Sequence, residues 1–237
     1  MPVESPSQAP RLLAIGDIHG CSRAFESLLS IVKPTPGDTL VTLGDYIDRG
    51  PDSKDVIERL IALQKETQLI TLRGNHEIMM MDSRQKGGEV TALWMMNGGD
   101  TTVDSYGAET LEDIPEEHWT FLKNTQRFWE TDTHIFVHAG VDPSMPLSAQ
   151  SDIILFWQHL TREIRHISGK PIVCGHTPQR NGIPWITPGT LCLDTAACRG
   201  AWLTCLDLLN GTCWQANEDG ESRSIEIDLS GRSVIDF

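Results

Sequence analysis

The sequence predicts an α/β fold, and three observations carry that prediction. Short apolar runs of strand length alternate with amphipathic helical stretches through the first third of the chain. Each run stops at a turn that carries Asp, Asn or His beside a glycine. Past residue 176 the chain becomes β-rich around Asn210-Gly211, a strong hairpin signal.

Residues 12–16 form the first apolar run, which ends at Gly16-Asp17 and reads as a buried strand. Ser22 then caps a helical pattern in which Phe25, Leu28, Leu29 and Val32 share a face, and Lys33-Pro34 ends it. Residues 39–43 are a second buried strand, again stopping at Gly-Asp. Residues 53–64 read as a second helix with Val56, Ile57, Leu60, Ile61 and Leu63 on or beside one face. Residues 69–72 are a third strand, stopping at Arg73-Gly74-Asn75-His76. The middle, 77–124, reads as mostly helical. Residues 89–96 and 116–124 carry the pattern, and Gly87-Gly88 and Gly98-Gly99-Asp100 punctuate it. Residues 135–137 and 172–174 are strands that stop at His138 and Gly175-His176. Residues 203–209 and 212–216 flank the Asn210-Gly211 turn. Polar residues thus gather just after strands, where open α/β sheets place their sites.

The chain has 237 residues and a formal net charge of −14. That balance disfavours non-specific binding to nucleic acid or anionic membranes, but a few arginines and metal ions can reverse the field locally. No apolar stretch of about 20 residues is present, so no membrane-spanning helix is expected. Residues 1–10 are polar and proline-rich, without the pattern of a signal peptide, and read as a loose tail ahead of one domain over 11–237. The six cysteines form no CxxC pair and read as reduced, packed residues of a cytoplasmic protein.

Five strand ends carry metal-capable residues: Asp17-Ile18-His19, Asp45-Tyr46-Ile47-Asp48-Arg49, Asn75-His76-Glu77, His138 and Gly175-His176. Asp17 and His19 are two apart, so an extended backbone would aim both side chains at one ion. Carboxylate, imidazole and amide oxygen without thiolate favour manganese, iron, zinc or magnesium. Two ions need a shared carboxylate to sit about 3.5–4 Å apart, and such a pair polarises a phosphoryl group and brings a bridging water to hydroxide near neutral pH. Singly, each cluster reads as a turn, a capped helix start or a structural histidine. Five coinciding at five strand ends argue for one site.

The ordered set GDIHG, GDYIDRG, GNHE, HAG and GHT, spread over residues 16–177, resembles the PPP-type metallophosphoesterases, the serine/threonine protein phosphatase family, with small bacterial and phage members nearest in size. GDYIDRG and GNHE are the specific signals. The resemblance implies the calcineurin-like fold, a β-sandwich core flanked by helices in four α/β/β/α layers. It implies two divalent ions, manganese first. Asp17 and His19 would hold the first ion, Asp45 would bridge both, and Asn75, His138 and His176 would complete the second. His76 would protonate the leaving oxygen, Asp48 would fix its tautomer, and Arg49 and Arg73 would grip phosphate. The implied substrate is a phosphorylated protein or peptide, on serine, threonine or also tyrosine. The related symmetric dinucleoside polyphosphate hydrolases resemble Gly-Asp-x-x-x-Arg-Gly with a non-acidic residue at position 48, so Asp48 weighs against them. One departure stands out: His159 lies where small relatives show an arginine, and Arg162, one helical turn on, is the candidate replacement if that stretch is helical.

Met79, Met80, Met81, Met95 and Met96 read as core or cap packing, and His118, His134 and His166 as surface histidines. Glu77 reads equally as a support for the His76 loop or as a solvated charge.

Overall fold

A computed structural model describes residues 9–229 and the backbone of a two-residue strand at 234–235. Most of the expected tail, residues 1–8, lies outside the described residues. The chain runs β1 (Leu12–Ile15), α1 (Ser22–Val32), β2 (Thr39–Thr42), α2 (Ser53–Leu63), β3 (Gln68–Thr71), α3 (Asn75–Lys86), α4 (Gly88–Trp94), α5 (Asp100–Tyr106), α6 (Glu116–Asn124), β4 (Phe128–Glu130) and β5 (Ile135–Val137). It continues with α7 (Asp152–Trp157), β6 (Ile172–Cys174), β7 (Trp185–Ile186), β8 (Thr190–Cys192), β9 (Leu203–Asp207), β10 (Thr212–Ala216), β11 (Ser222–Ile227) and β12 (Val234–Ile235).

Two mixed sheets result. One has the order β12-β11-β10-β9-β1-β2-β3 and the other β4-β5-β6-β8-β7. β1, β2 and β3 are parallel, as are β5, β6 and β8. Strand alternation explains the layers. Ala14, Val41 and Leu43 face Phe136, Val173 and Leu191 of the second sheet in one core between the sheets. Leu13, Ile15 and Leu40 point the other way, into a core with Phe25, Leu28, Val56 and Leu60 of α1 and α2. On the far side Ile135, Val137, Ile172 and Cys174 pack with Leu155 and Phe156 of α7. Both faces of each central strand are buried, which is why these strands read as unbroken apolar runs. The expected four layers are present. The hairpin at Asn210-Gly211 joins β9 to β10, with Gly211 at φ 86°.

No described helix is long and apolar enough to cross a membrane. None of the six cysteines is in a disulfide, and five are buried. Two expectations about histidines are corrected. His118 is buried against the Tyr106 hydroxyl at 2.7 Å, and His166 is buried between the Met145 carbonyl and Ser168. A polar side chain can be buried wherever partners are supplied, and Tyr106 and Met145 supply them from other segments. Of the methionines, Met79 and Met80 are buried, whereas Met96 is 86% exposed.

Below β1, a buried ion pair ties three elements. The Arg11 guanidinium donates to both carboxylate oxygens of Asp38, at 2.7 and 3.1 Å, and to the Val32 and Lys33 carbonyls that α1 leaves unpaired at its end. Burial works to raise the Asp38 pKa, but Arg11 and the Thr35 amide outweigh it and hold it down at about 2. Asp38→Asn is expected to lower unfolding stability by about 3–5 kcal/mol in urea at neutral pH, because it leaves a buried guanidinium without its counterion. A carboxylate depressed in the folded state stabilises above its unfolded pKa, and that contribution is lost as pH falls through the folded one. The gap between variant and wild type therefore narrows between the ordinary 3.8 and about 2. A gap that stays constant over that window would contradict the account.

Candidate metal centre

The loops that follow β1, β2, β3, β5, β6 and β8 meet at the carboxyl ends of the parallel strands. Among them lie two groups of metal-capable atoms that share one carboxylate. His19, Asp45 and His76 form the first, and Asp45, His138 and His176 the second. Asp45 Oδ2 lies 3.4 Å from His19 Nε2 and 4.0 Å from His76 Nε2, while Oδ1 lies 3.5 Å from His138 Nε2. Asn75 joins the second group, its Oδ1 3.0 Å from His138 Nε2. Asp17 stands beside the groups, its carboxylate accepting the His176 amide at 3.0 and 3.2 Å.

Placing these residues requires unusual backbone. Seven described non-glycine residues have positive φ, and five of them are His19, Asp45, Asp48, Arg49 and His176. Each such position costs about 1–3 kcal/mol, and such strain concentrates at functional sites. His19 at φ 48° is left-handed, so the extended Asp17-x-His19 geometry expected from the sequence is corrected: a turn, not strand alternation, aims the imidazole. Glycines make room. A Cβ on Gly74 would lie 2.1 Å from Asp45 Oδ1, and one on Gly175 would lie 1.9 Å from Asp17 Oδ1.

Glu77 is fully buried and supports the loops rather than facing solvent. Its carboxylate accepts the amides of Gly74, Asp45 and Tyr46 at 2.7–2.9 Å, locking the β2 and β3 loops together. Burial and Asp45 push its pKa up to about 7.

The donor set fits divalent cations. His19 Nδ1 donates to the Ile47 carbonyl at 2.9 Å and His138 Nδ1 to the Leu43 carbonyl at 2.8 Å, so both Nε2 lone pairs face the cluster. Burial lowers the pKa of His19 and His176 to about 3 and lowers that of His138. Burial alone would raise Asp45, but the facing imidazoles of His138, His76 and His19 hold it below the usual carboxylate range. Metal binding would take these imidazoles neutral and the carboxylate ionised, with the divalent ion in place of the ring protons as the positive charge beside Asp45. His138 Nε2 and Asn75 Oδ1, both acceptors in this arrangement, face one another at 3.0 Å, and His176 turns Nδ1 toward the same point, 3.2 Å from His138 Nε2. A cation would satisfy all three.

His76 differs from the other histidines. Its Nδ1 donates to Asp48 Oδ2 at 2.6 Å, and its buried Nε2 has no partner. Burial opposes its charged form, yet Asp45 and Asp48 outweigh it and raise its pKa. Asp48 also accepts Trp94 Nε1 at 2.8 Å and Thr102 Oγ1 at 2.6 Å. Those two donors come from α4 and α5, joined by a π-turn over Met95–Gly99. A Cβ on Gly99 would meet the Trp94 ring at 2.4 Å, and the Gly98 carbonyl accepts the Arg49 amide at 3.1 Å. The glycine pair that reads as punctuation in the sequence therefore holds Asp48 and Arg49 in place.

The cleft above the cluster, about 270 Å³, is lined by Asp45, Arg49, Asn75, His76, Asn97, Trp157, His159, His176, Pro178 and Arg199. Of the three arginines expected from the sequence, only Arg49 lines it, with Nη1 2.8 Å from His19 Nε2. Arg73 is engaged by Thr125 and the Lys123 carbonyl. Arg162 lies past the end of α7 in a non-helical stretch and lines a separate cavity with Val141 and Pro143, so the helical condition for its replacing an arginine at His159 is not met. His159 instead stacks on His176, ring centroids 4.6 Å apart. Sequence reasoning gave no site role to Asp194, in a stretch the family resemblance reaches, or to Arg199. Asp194 ends the β8 run as the other acids end theirs; it is buried, and burial and Asp45 raise its pKa to about 6. Arg199 has no such local signal.

Residues 10–189 match the family described as calcineurin-like phosphoesterase. The chain is 32% identical over 203 residues to serine/threonine-protein phosphatase 1 of Salmonella typhimurium, covering 80% of this chain and 88% of that protein. It is 28% identical over 138 residues to the symmetrical bis(5'-nucleosyl)-tetraphosphatase of Chromobacterium violaceum, covering 58% of this chain and 46% of that one. A solved cold-active protein tyrosine phosphatase superposes with a TM-score of 0.66 at 16% identity, over 97% of this chain and 83% of that one, a likeness of fold.

Proposed function

The chain belongs to the calcineurin-like phosphoesterase family, and from that premise we propose that it is a metal-dependent phosphomonoesterase acting on phosphorylated serine or threonine, and also tyrosine, in proteins. The observation that carries the reading is the Asp48–His76 pair at 2.6 Å, with His76 Nε2 left free beside Asp45. A phosphomonoester of serine or threonine needs a proton on its leaving oxygen, and an oriented imidazole is the group that supplies one. His19 and Asp45, with Asp17 behind, would hold one ion; Asp45, Asn75, His138 and His176 would hold the other. Two divalent ions, manganese first among them, supply Lewis acidity toward the phosphoryl group and acidify water. Asp48 holds the Nδ1–H tautomer of His76, and Trp94 and Thr102 hold Asp48. Arg49 is exposed and, once off His19, has a guanidinium fork suited to phosphate oxygens. Arg73 reaches an anion only by leaving Thr125.

The second reading, a symmetric dinucleoside polyphosphate hydrolase, is favoured by similarity to the tetraphosphatases. An acidic residue at 48 speaks for the first. Activity on phosphopeptides, diadenosine tetraphosphate and a phosphodiester, compared at fixed manganese, decides between them. Fastest turnover is expected on a phosphopeptide, and a preference for diadenosine tetraphosphate reverses the order. Dialysis against chelator is expected to abolish activity and manganese to restore it; full activity after verified metal removal excludes both.

A further inference from the structure

The loop after β8 carries a cation that the metal cluster does not use. A single 3-10 turn, Ala197–Arg199, is held between Ala196 at φ 60° and Gly200 at φ 79°. Asp194 Oδ1 accepts the Ala196 amide at 3.0 Å, and Thr195 Oγ1 donates to the Trp202 carbonyl at 2.6 Å. The turn is therefore pinned at both ends, which fixes where Arg199 leaves the backbone. Its side chain lines the cleft with Asp45, His76 and His176, and a second cavity of about 380 Å³ with Arg49, Met96 and Cys198. Arg49, Asn97 and Arg199 are common to both cavities. The exposed Arg199 guanidinium makes no hydrogen bond or ion pair among the described residues, though its charge acts on the buried Asp194 carboxylate, whereas Arg73 has its donors taken. What sets Arg199 apart from the other exposed arginines is its place, beside Arg49 at the mouth of the cleft.

We propose that Arg199 is a substrate-binding residue that grips the scissile phosphoryl group together with Arg49, filling the role left open by His159 and not taken by Arg162. A guanidinium presents planar paired donors to phosphate oxygens, and two of them lining one cleft fix a tetrahedral anion better than one. The inference rests on the phosphatase reading above and adds a residue from outside the motif set.

The test measures binding of inorganic phosphate to the manganese-loaded protein by calorimetry, together with KM and kcat for p-nitrophenyl phosphate. Arg199→Ala is expected to weaken phosphate binding about ten- to a hundredfold, the range for a charge-assisted contact, and to raise KM more than it lowers kcat. Metal content stays as in wild type. Arg199→Lys keeps charge without the fork and is expected to fall between the two. Unchanged phosphate affinity in Arg199→Ala overturns the assignment, as does weakening in Arg162→Ala alone. Because phosphate binding is read without turnover, a wild-type protein inert toward every phosphate ester counts against the phosphatase reading and leaves the Arg199 result decisive on its own.

Discussion

Asp45→Asn is expected to reduce phosphatase turnover by about a thousandfold or more, the rate equivalent of several kcal/mol of lost charge stabilisation. It is also expected to leave one ion or none per chain. Asp45 is the residue shared by both metal-capable groups, one oxygen facing His19 and the other His138. An amide keeps the shape, and its oxygen can still accept the His76 amide as Oδ1 does now at 3.1 Å. What it loses is the charge that sits between the imidazoles, and one of its two acceptor atoms becomes a donor pointed at a lone pair. Asp17→Asn is the comparison. Asp17 stands outside both groups, so its variant should keep more metal and more activity. Folding is read separately. In metal-free protein a buried carboxylate carries a desolvation cost that an amide does not, so the apo variant should melt no lower than apo wild type. Two tightly bound ions in an active Asp45→Asn protein would place the shared ligand elsewhere.

How much of this was legible in the sequence follows from what each feature needs. The central strands were legible because both faces of β1, β2, β5 and β6 are buried, leaving continuous apolar runs. β4 and β7 were not: each is a sheet-edge strand of two or three residues, and its pairing is set by the neighbour rather than by its own pattern. The metal-capable residues were legible because each sits at the end of such a run. The turn that aims His19 was not, since nothing in its side chain signals a φ of 48°. Glu77 stayed open because one carboxylate reads alike whether it meets water or three amides of two loops. Arg199 was invisible for a related reason: its position comes from a turn pinned by Asp194 and Thr195, and no period or spacing links it to the other strand ends.

His76→Asn should slow phosphoserine peptide hydrolysis by about 10²–10⁴-fold, the usual contribution of a general acid, and slow p-nitrophenyl phosphate hydrolysis much less. The two substrates differ in the leaving group. A serine alkoxide is strongly basic and must be protonated as the P–O bond breaks, whereas p-nitrophenolate departs unaided. The geometry makes His76 the group for this. Asp48 takes its Nδ1 proton at 2.6 Å and fixes the ring, while Nε2 has no partner and lies in the cleft wall beside Asp45. Asp48→Asn is expected to show the same substrate pattern in weaker form. An amide can still meet the imidazole, but it no longer stabilises its charged form, and of Trp94 and Thr102, which donate to different oxygens, one is left facing the amide N–H. His76 also falls within the first metal-capable group, so metal content is the control that separates the two roles. As a general acid, its loss leaves the ions in place and the penalty follows the leaving group. As a ligand, its loss lowers metal content and slows both substrates equally. Equal losses on the two esters would therefore remove His76 from the proton-transfer step, and with it the observation on which the protein phosphatase reading rests.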